Sequence, residues 1–191
     1  TIPARVLGGA VLPRHRVTTL ALVLSFALLT AVAAQVRIPL PFTPVPITGQ
    51  TFAVLLSGAV LGGTGGAASQ ALYLLLGLFL PFYAGGASGW TYATGATGGF
   101  LLGFIVAAWV IGQLAERRQD RNLATAIPAF LTGTVVIYLF GVPWLANVVG
   151  VSWTSAIELG VTPFVVGDLA KILLAGVLLP SAWKLIWSAS R

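Results

Sequence analysis

Val17-Thr-Thr-Leu-Ala-Leu-Val-Leu-Ser-Phe-Ala-Leu-Leu-Thr-Ala-Val-Ala-Ala-Gln-Val36 runs for twenty residues without one charged side chain. As a helix it rises about 30 Å, the thickness of a bilayer's hydrocarbon core. Arg14, His15 and Arg16 precede it, and Arg37 follows. The same pattern recurs along the chain. Further apolar runs extend over Gly49 to Leu61, Ala67 to Phe82, Gly98 to Leu114, Leu123 to Phe140, and Pro163 to Trp187. Thr162 is a candidate N-cap for the last run, with Pro163 at its first helical position.

The composition agrees. Of 191 residues, 58% are hydrophobic and 7% charged, and the mean hydropathy is +0.98. A soluble domain carries about 25% charged residues and needs them to face water. This chain reads as an all-α integral membrane protein with six transmembrane helices. The count of six depends on Gly62-Gly-Thr-Gly-Gly66, read as a tight turn between two short helices. One continuous helix would have to carry four glycines there, each costing about 1 kcal/mol relative to alanine.

Orientation follows from charge. With the N-terminus inside, the cytoplasmic segments hold Arg5, Arg14, Arg16, Arg117, Arg118, Arg121, Lys184 and Arg191, and the outer loops hold Arg37 and Glu158. Basic residues collect on the cytoplasmic side of membrane proteins, so both termini are expected in the cytoplasm. The expected organisation is a single membrane domain over 1–191, with an amino-terminal arm at 1–16 and a helical bundle at 17–188. Its outer loops lie near 37–48, 83–97 and 141–162, and its location is the cytoplasmic (inner) membrane.

Several function classes drop out. The net charge of +6 does not stripe one face with aromatics, so nucleic acid is not the partner. There is no cysteine, hence no disulfide or thiolate chemistry. Neither lysine, Lys171 nor Lys184, follows glycine, so the chain has no ATP-binding P-loop. His15 lies before the first run, far from Asp168, and no nucleophile–base pair or metal-ligand set can be built. No cofactor and no metal are expected, and an enzyme is disfavoured. The absence of methionine, position 1 included, implies a chain processed or cut from a longer product. No signal-peptide pattern precedes a soluble domain, so a secreted protein is not expected.

Two ionisable residues fall inside a span, Asp168 and Lys171 of Gly167-Asp-Leu-Ala-Lys171. Their spacing of three puts them on one helical face, in the outer part of the membrane. Such residues mark a function by default, against the simpler use of mutual neutralisation. All the unusual loops lie on their side. The first is stiffened by Pro39, Pro41, Pro44 and Pro46. The second offers Tyr83, Gly85, Gly86, Trp90 and Tyr92, and the third Trp144, Asn147 and Trp153. Aromatics and a few polar groups over a charge pair suit a mostly apolar ligand with a polar end, although such aromatics also serve as interfacial belts. Gly85 and Gly86 let backbone approach a ligand closely. Gln50 can donate and accept beneath the proline loop, or merely cap its helix. Ala27 and Ala31 form a small-residue face, suited to packing within the chain or to docking another subunit.

Ile38-Pro-Leu-Pro-Phe-Thr-Pro-Val-Pro-Ile-Thr-Gly-Gln-Thr51, Tyr73-Leu-Leu-Leu-Gly77, Gly98-Gly-Phe-Leu-Leu-Gly-Phe104 and Gly167-Asp-Leu-Ala-Lys171 together resemble the BioY family, the biotin-binding S components of energy-coupling factor (ECF) transporters. The resemblance implies six helices and an outward-facing biotin pocket. It also implies a separate energising module, made of a transmembrane T component and two ATPase subunits, or else a homo-oligomer that works without one. The docking surface it implies corresponds to Ala27 and Ala31. It further implies that Asp168 accepts from a ureido N–H and that Gln50 or Asn147 complements the ring. Lys171 would donate to the ureido carbonyl, orient Asp168 or meet the carboxylate. Trp90 and Tyr92 would cover the bicycle, and Arg37 is a further candidate for the carboxylate. The alternatives are an S component for another vitamin and an autonomous ion-coupled carrier.

Overall fold

A computed structural model describes residues 1–13 and 15–189, so the charge assignments made for Arg14 and Arg191 lie outside the described residues. Among the described residues the regular structure is helical apart from one two-stranded ribbon. Among the described residues, five helices are long and apolar enough to cross a membrane. These are α2 (Arg16–Gln35), α3 (Gln50–Gly77), α5 (Gly98–Glu116), α6 (Leu123–Val149) and α8 (Val165–Ala189). Three short helices complete the set: α1 (Leu7–Val11), α4 (Trp90–Ala93) and α7 (Trp153–Gly160).

The distribution of side-chain size shows what solvent the bundle faces. On α2 the buried residues are Ala27, Thr30, Ala31 and Ala34, whereas Leu20, Leu24, Leu28 and Val32 are exposed. In water this helix would be inside out. In lipid the leucines face acyl chains at no cost, and small residues let helices approach closely. Ala27 and Ala31 are 0% and 5% exposed, in a core cluster with Val54 and Tyr73. Their small face is therefore packed within the chain.

Helix α3 is one element by hydrogen bonding but two by direction. Gly62 has φ 78° and ψ 177°, a conformation that only glycine adopts without strain. Twenty-three residues of straight helix span about 34 Å, yet Gln50 Nε2 donates to the Tyr73 hydroxyl at 2.6 Å. Gln70 Nε2 likewise donates to Ser57 Oγ at 3.0 Å. The two limbs run back along each other, with Gly66 against Gly58. The reversal uses Gly62 alone. Gly63 to Gly66, expected in the turn, are helical, because Glu116 Oε1 accepts from the Gly63 N–H at 2.9 Å and caps the second limb. Between the limbs Gln70, fully buried, also donates to Ser69 Oγ and bonds with Thr30 of α2.

Two expected boundaries move. The loop expected from Gly141 is helix as far as Val149, with Pro128 and Pro143 inside α6. A proline removes one hydrogen bond and crowds the preceding turn, but here tight packing holds the helix together: Gly141 lies against the Phe100 ring and Leu145 is fully buried. The helix ends instead at Gly150, which is left-handed. The second correction concerns Thr162 and Pro163. They lie in the turn joining α7 to α8, where Thr162 N–H donates to Ile157 O, so Thr162 does not cap α8.

The two ends of the bundle differ. At one end lie α4, α7 and a ribbon in which β1 (Arg37–Ile38) pairs antiparallel with β2 (Ile47–Thr48). At the other, both terminal segments meet the α5–α6 turn. Arg121 Nη2 donates to Arg5 O at 3.0 Å and its guanidinium lies 4.0 Å over the Trp183 ring. Trp183 Nε1 donates to Asp120 Oδ2 at 2.7 Å. Burial pushes the Asp120 carboxyl up. The amino-terminal arm is packed at this end, with Ile2 and Val6 in a core cluster beside Leu61 and Ile172.

Candidate functional site

The ribbon and five helices, α3, α4, α5, α6 and α8, surround about 530 Å³ of non-atom space that includes the open mouth. Val45 and Pro46 come from the proline loop, Thr48 from the ribbon, Gln50 and Thr51 from the start of α3, and Tyr92 from α4. Thr97, Phe100, Leu101 and Phe104 come from α5 and its entry, Ile137 and Tyr138 from α6, and Phe164, Asp168 and Lys171 from α8 and its entry.

The polar groups converge on one carboxylate. Asp168 is 5% exposed. Its Oδ1 accepts from Lys171 Nζ at 3.0 Å and from Thr51 Oγ1 at 3.2 Å. Its Oδ2 accepts from the Tyr138 hydroxyl. Lys171 Nζ also donates to Thr51 Oγ1 at 2.8 Å. Asp168 occupies the first turn of α8, where the helix dipole favours a negative charge. The cluster as a whole is neutral. A second layer is built on Gln50, whose Oε1 accepts from Thr48 Oγ1 at 2.9 Å while its Nε2 donates to Tyr73.

The remaining hydrogen-bonding capacity can be counted. A carboxylate accepts about four hydrogen bonds and an ammonium donates three. Asp168 uses three acceptor positions and Lys171 two donors, which leaves one acceptor on Oδ2 and one donor on Nζ. Gln50 Oε1 retains one lone pair. Around these groups the wall is aromatic and aliphatic. The site therefore suits a compact, mostly apolar molecule whose polar edge presents N–H groups next to a carbonyl.

Of the residues expected from sequence, Asp168, Lys171, Gln50 and Tyr92 line this cavity. Arg37 lines a second cavity next door, with Pro39, Thr43, Ala84, Pro46 and Tyr92; the last two are shared. Gly85 lies against the Arg37 guanidinium, with φ 75°, and the Gly86 N–H donates to Gln35 Oε1 at 2.9 Å. Trp90 is 70% exposed, and Asn147 is on an exposed face of α6; neither is among the lining residues. Thr51, Tyr138 and the phenylalanines were missed. A signal for Tyr138 existed: a hydroxyl inside an apolar run needs a partner, and Asp168 is the acid available. Nothing comparable marks Thr51, which stands among several threonines.

The walls are pinned from outside. Thr43 Oγ1 donates to Leu159 O at 2.8 Å and ties the proline loop to α7. Tyr92 stacks on Tyr83 with centroids 4.9 Å apart, and Tyr83 meets Tyr73 edge-on. Burial pushes the Tyr83 and Tyr92 phenols above their ordinary value, so both remain hydrogen-bond donors. No group of three or more His, Cys, Asp or Glu that could hold a metal ion occurs among the described residues.

A family model described as the BioY family matches residues 9–188. The biotin transporter BioY of Rhizobium etli is 36% identical over 160 residues, covering 80% of this chain and 85% of the relative. The biotin transporter BioY of Thermotoga maritima is 40% identical over 154 residues, covering 80% and 88%. Among solved structures, the crystal structure of the S-component for biotin from an ECF-type ABC transporter matches with a TM-score of 0.80. That match has 25% identity and covers 88% of this chain and 92% of the other.

Proposed function

Because the chain belongs to the BioY family, we propose that it captures biotin from outside the cell as the S component of an ECF-type transporter. It is a transport protein rather than an enzyme. The observation that carries this reading is the match between the unused hydrogen-bonding positions and biotin's ureido ring. One ureido N–H goes to the open position on Asp168, the carbonyl to the third Lys171 proton, and the second N–H to Gln50 Oε1. The thiophane ring lies among Phe100, Phe104, Phe164 and Tyr92. Tyr138 and Thr51 hold Asp168 in place for the ring.

In this reading each limb of α3 crosses the membrane, which makes six crossings in a single membrane domain. Both termini are then cytoplasmic, as the positive-inside rule requires. The pocket opens outward from the cytoplasmic membrane. Energy comes from a T component and two ATPase subunits, or from a homo-oligomer that works without them, since this chain has no P-loop of its own.

Isothermal titration of detergent-purified protein tests the assignment. Saturable, tight binding of biotin, with none of thiamine or riboflavin, is expected. Equal binding of the three vitamins, or none, removes the proposal. Biotin uptake by cells with and without the ATPase subunits then separates module-driven from autonomous transport.

A further inference from the structure

Any molecule that fills the main cavity must cross its mouth, which the proline loop and α4 border through Val45, Pro46 and Tyr92. On two sides that border is fastened. Thr43 ties the proline loop to α7. The Gly49 N–H donates to Ala33 O and Val36 O, both at 3.1 Å, and fixes the ribbon to the end of α2. The third side is a seam. Among the described residues no hydrogen bond joins residues 39–46 to residues 86–97.

Along the seam runs a broad groove whose walls include Pro44, Gly86, Ser88, Thr91, Tyr92 and Thr97, with no charged side chain among them. It meets the main cavity at Tyr92 and Thr97, which line both. Tyr92 also lines the Arg37 cavity, and it is the one residue common to all three. Its ring stacks on Tyr83, which is fully buried and donates its hydroxyl to Leu74 O at 2.7 Å. Tyr83 is therefore fixed, whereas Tyr92 rides on a helix of four residues entered through Gly89 at φ 89°. A Cβ at Gly89 would meet nothing within 4 Å, so this glycine serves backbone conformation and not packing. Beyond α4 the chain is held again, because Trp144 Nε1 donates to Gly95 O at 2.9 Å. Movement at the seam is thus confined to the Tyr92 ring and its single turn.

We infer that the ligand enters and leaves the main cavity through the groove beside α4, and that the Tyr92 ring is the door between the two. This rests on the biotin reading above and adds the route by which biotin reaches its site. With the ring stacked on Tyr83 the door is closed. Rotation of the ring about its own side-chain bonds opens it, and the stacking preference sets how often that happens.

A door and a wall differ in kinetics. A wall contact changes koff, whereas a door changes kon and koff together. Both rates are measured with radiolabelled biotin on detergent-purified protein. Tyr92→Leu should raise kon about two- to tenfold, the factor to which a stacking preference of ordinary size converts. The chain has no cysteine, so a single introduced thiol takes a bulky maleimide at one place. On Thr91→Cys, in the groove, the label should slow kon and koff together about tenfold and leave Kd within about twofold, since blocking a path changes the barrier and not the end states. On Leu40→Cys, which of the three cavities lines only that of Arg37, it should leave both rates as in wild type. The inference is overturned if Tyr92→Leu raises koff with kon unchanged, if the Thr91 label leaves kon unchanged, or if the Leu40 label slows entry instead. Each of these results leaves the biotin reading intact, whereas failure of wild type to bind biotin removes both.

Discussion

Replacing Asp168 with asparagine keeps the shape of the side chain and removes its charge. Three donors now converge on that carboxylate: Lys171 Nζ at 3.0 Å, Thr51 Oγ1 at 3.2 Å, and the Tyr138 hydroxyl. A hydrogen bond to a charged group contributes about 1.5–3 kcal/mol, and one between neutral groups about 0.5–1.5. The ligand's contact with this position should therefore lose about 1–2 kcal/mol. The amide also turns one acceptor oxygen into an N–H that faces either Lys171 or the ligand. A total near 2 kcal/mol corresponds to a Kd for biotin raised about thirtyfold. Stability should fall as well, because Lys171 keeps its charge at 18% side-chain exposure without its partner. Removing one partner of a fully buried pair costs about 3–5 kcal/mol, and the residual exposure together with Thr51 places this site below that range. The variant Asp168→Asn/Lys171→Met should recover the melting temperature but not the affinity. Titration calorimetry and thermal melting in detergent separate the two effects. A Kd for Asp168→Asn within twofold of wild type would refute the role given to the carboxylate.

The fold makes predictions of its own. Gln70→Leu should lower stability by about 1–3 kcal/mol in a detergent melt, because Ser57, Ser69 and Thr30 lose a buried partner; a variant as stable as wild type would show that the network adds nothing. Gly62→Ala should cost more than about 1 kcal/mol, since alanine is strained at φ 78° and its methyl would meet Glu116 and Pro3. Biotin affinity of the folded fraction should be unchanged, and a normal melt would mean that the reversal of α3 tolerates a side chain. Asp120 carries a pH dependence of defined sign. Its folded-state pKa is raised above 3.8, chiefly by burial, so across that window the native state binds more protons than the unfolded one and stability falls as pH rises. Asp120→Asn should flatten that slope above pH 3.8, and the slope persisting in the variant would assign it to another group.

Much was legible before the structure. The apolar runs located α2, α5 and most of α8, since long stretches this poor in charge have few alternatives to a membrane span. The Gly62–Gly66 cluster announced a reversal. Asp168 and Lys171 stood out because charge inside an apolar run requires a reason. The errors share a different origin. Pro143 and Gly141 look like breakers in a local reading, yet α6 continues through them because Phe100 packs on Gly141. Trp90 and Asn147 have suitable chemistry, but helix phase turns them away from the cavity. The small face of Ala27 and Ala31 was compatible with either use, and only the course of α3 alongside it shows that the chain packs on it.

The sequence by itself determined the solvent, the approximate positions of the spans, and the presence of one ion pair inside an apolar run. Those properties follow from composition and local spacing, which are written along the chain. The tertiary structure alone decided that Thr51 and Tyr138 complete the Asp168 cluster, that α3 doubles back at a single residue, and that Arg37 lies one partition away from the main cavity. Each depends on residues far apart in sequence meeting at one end of the bundle. That meeting is fixed by how close glycine and alanine faces let the helices approach, and no window of sequence contains it.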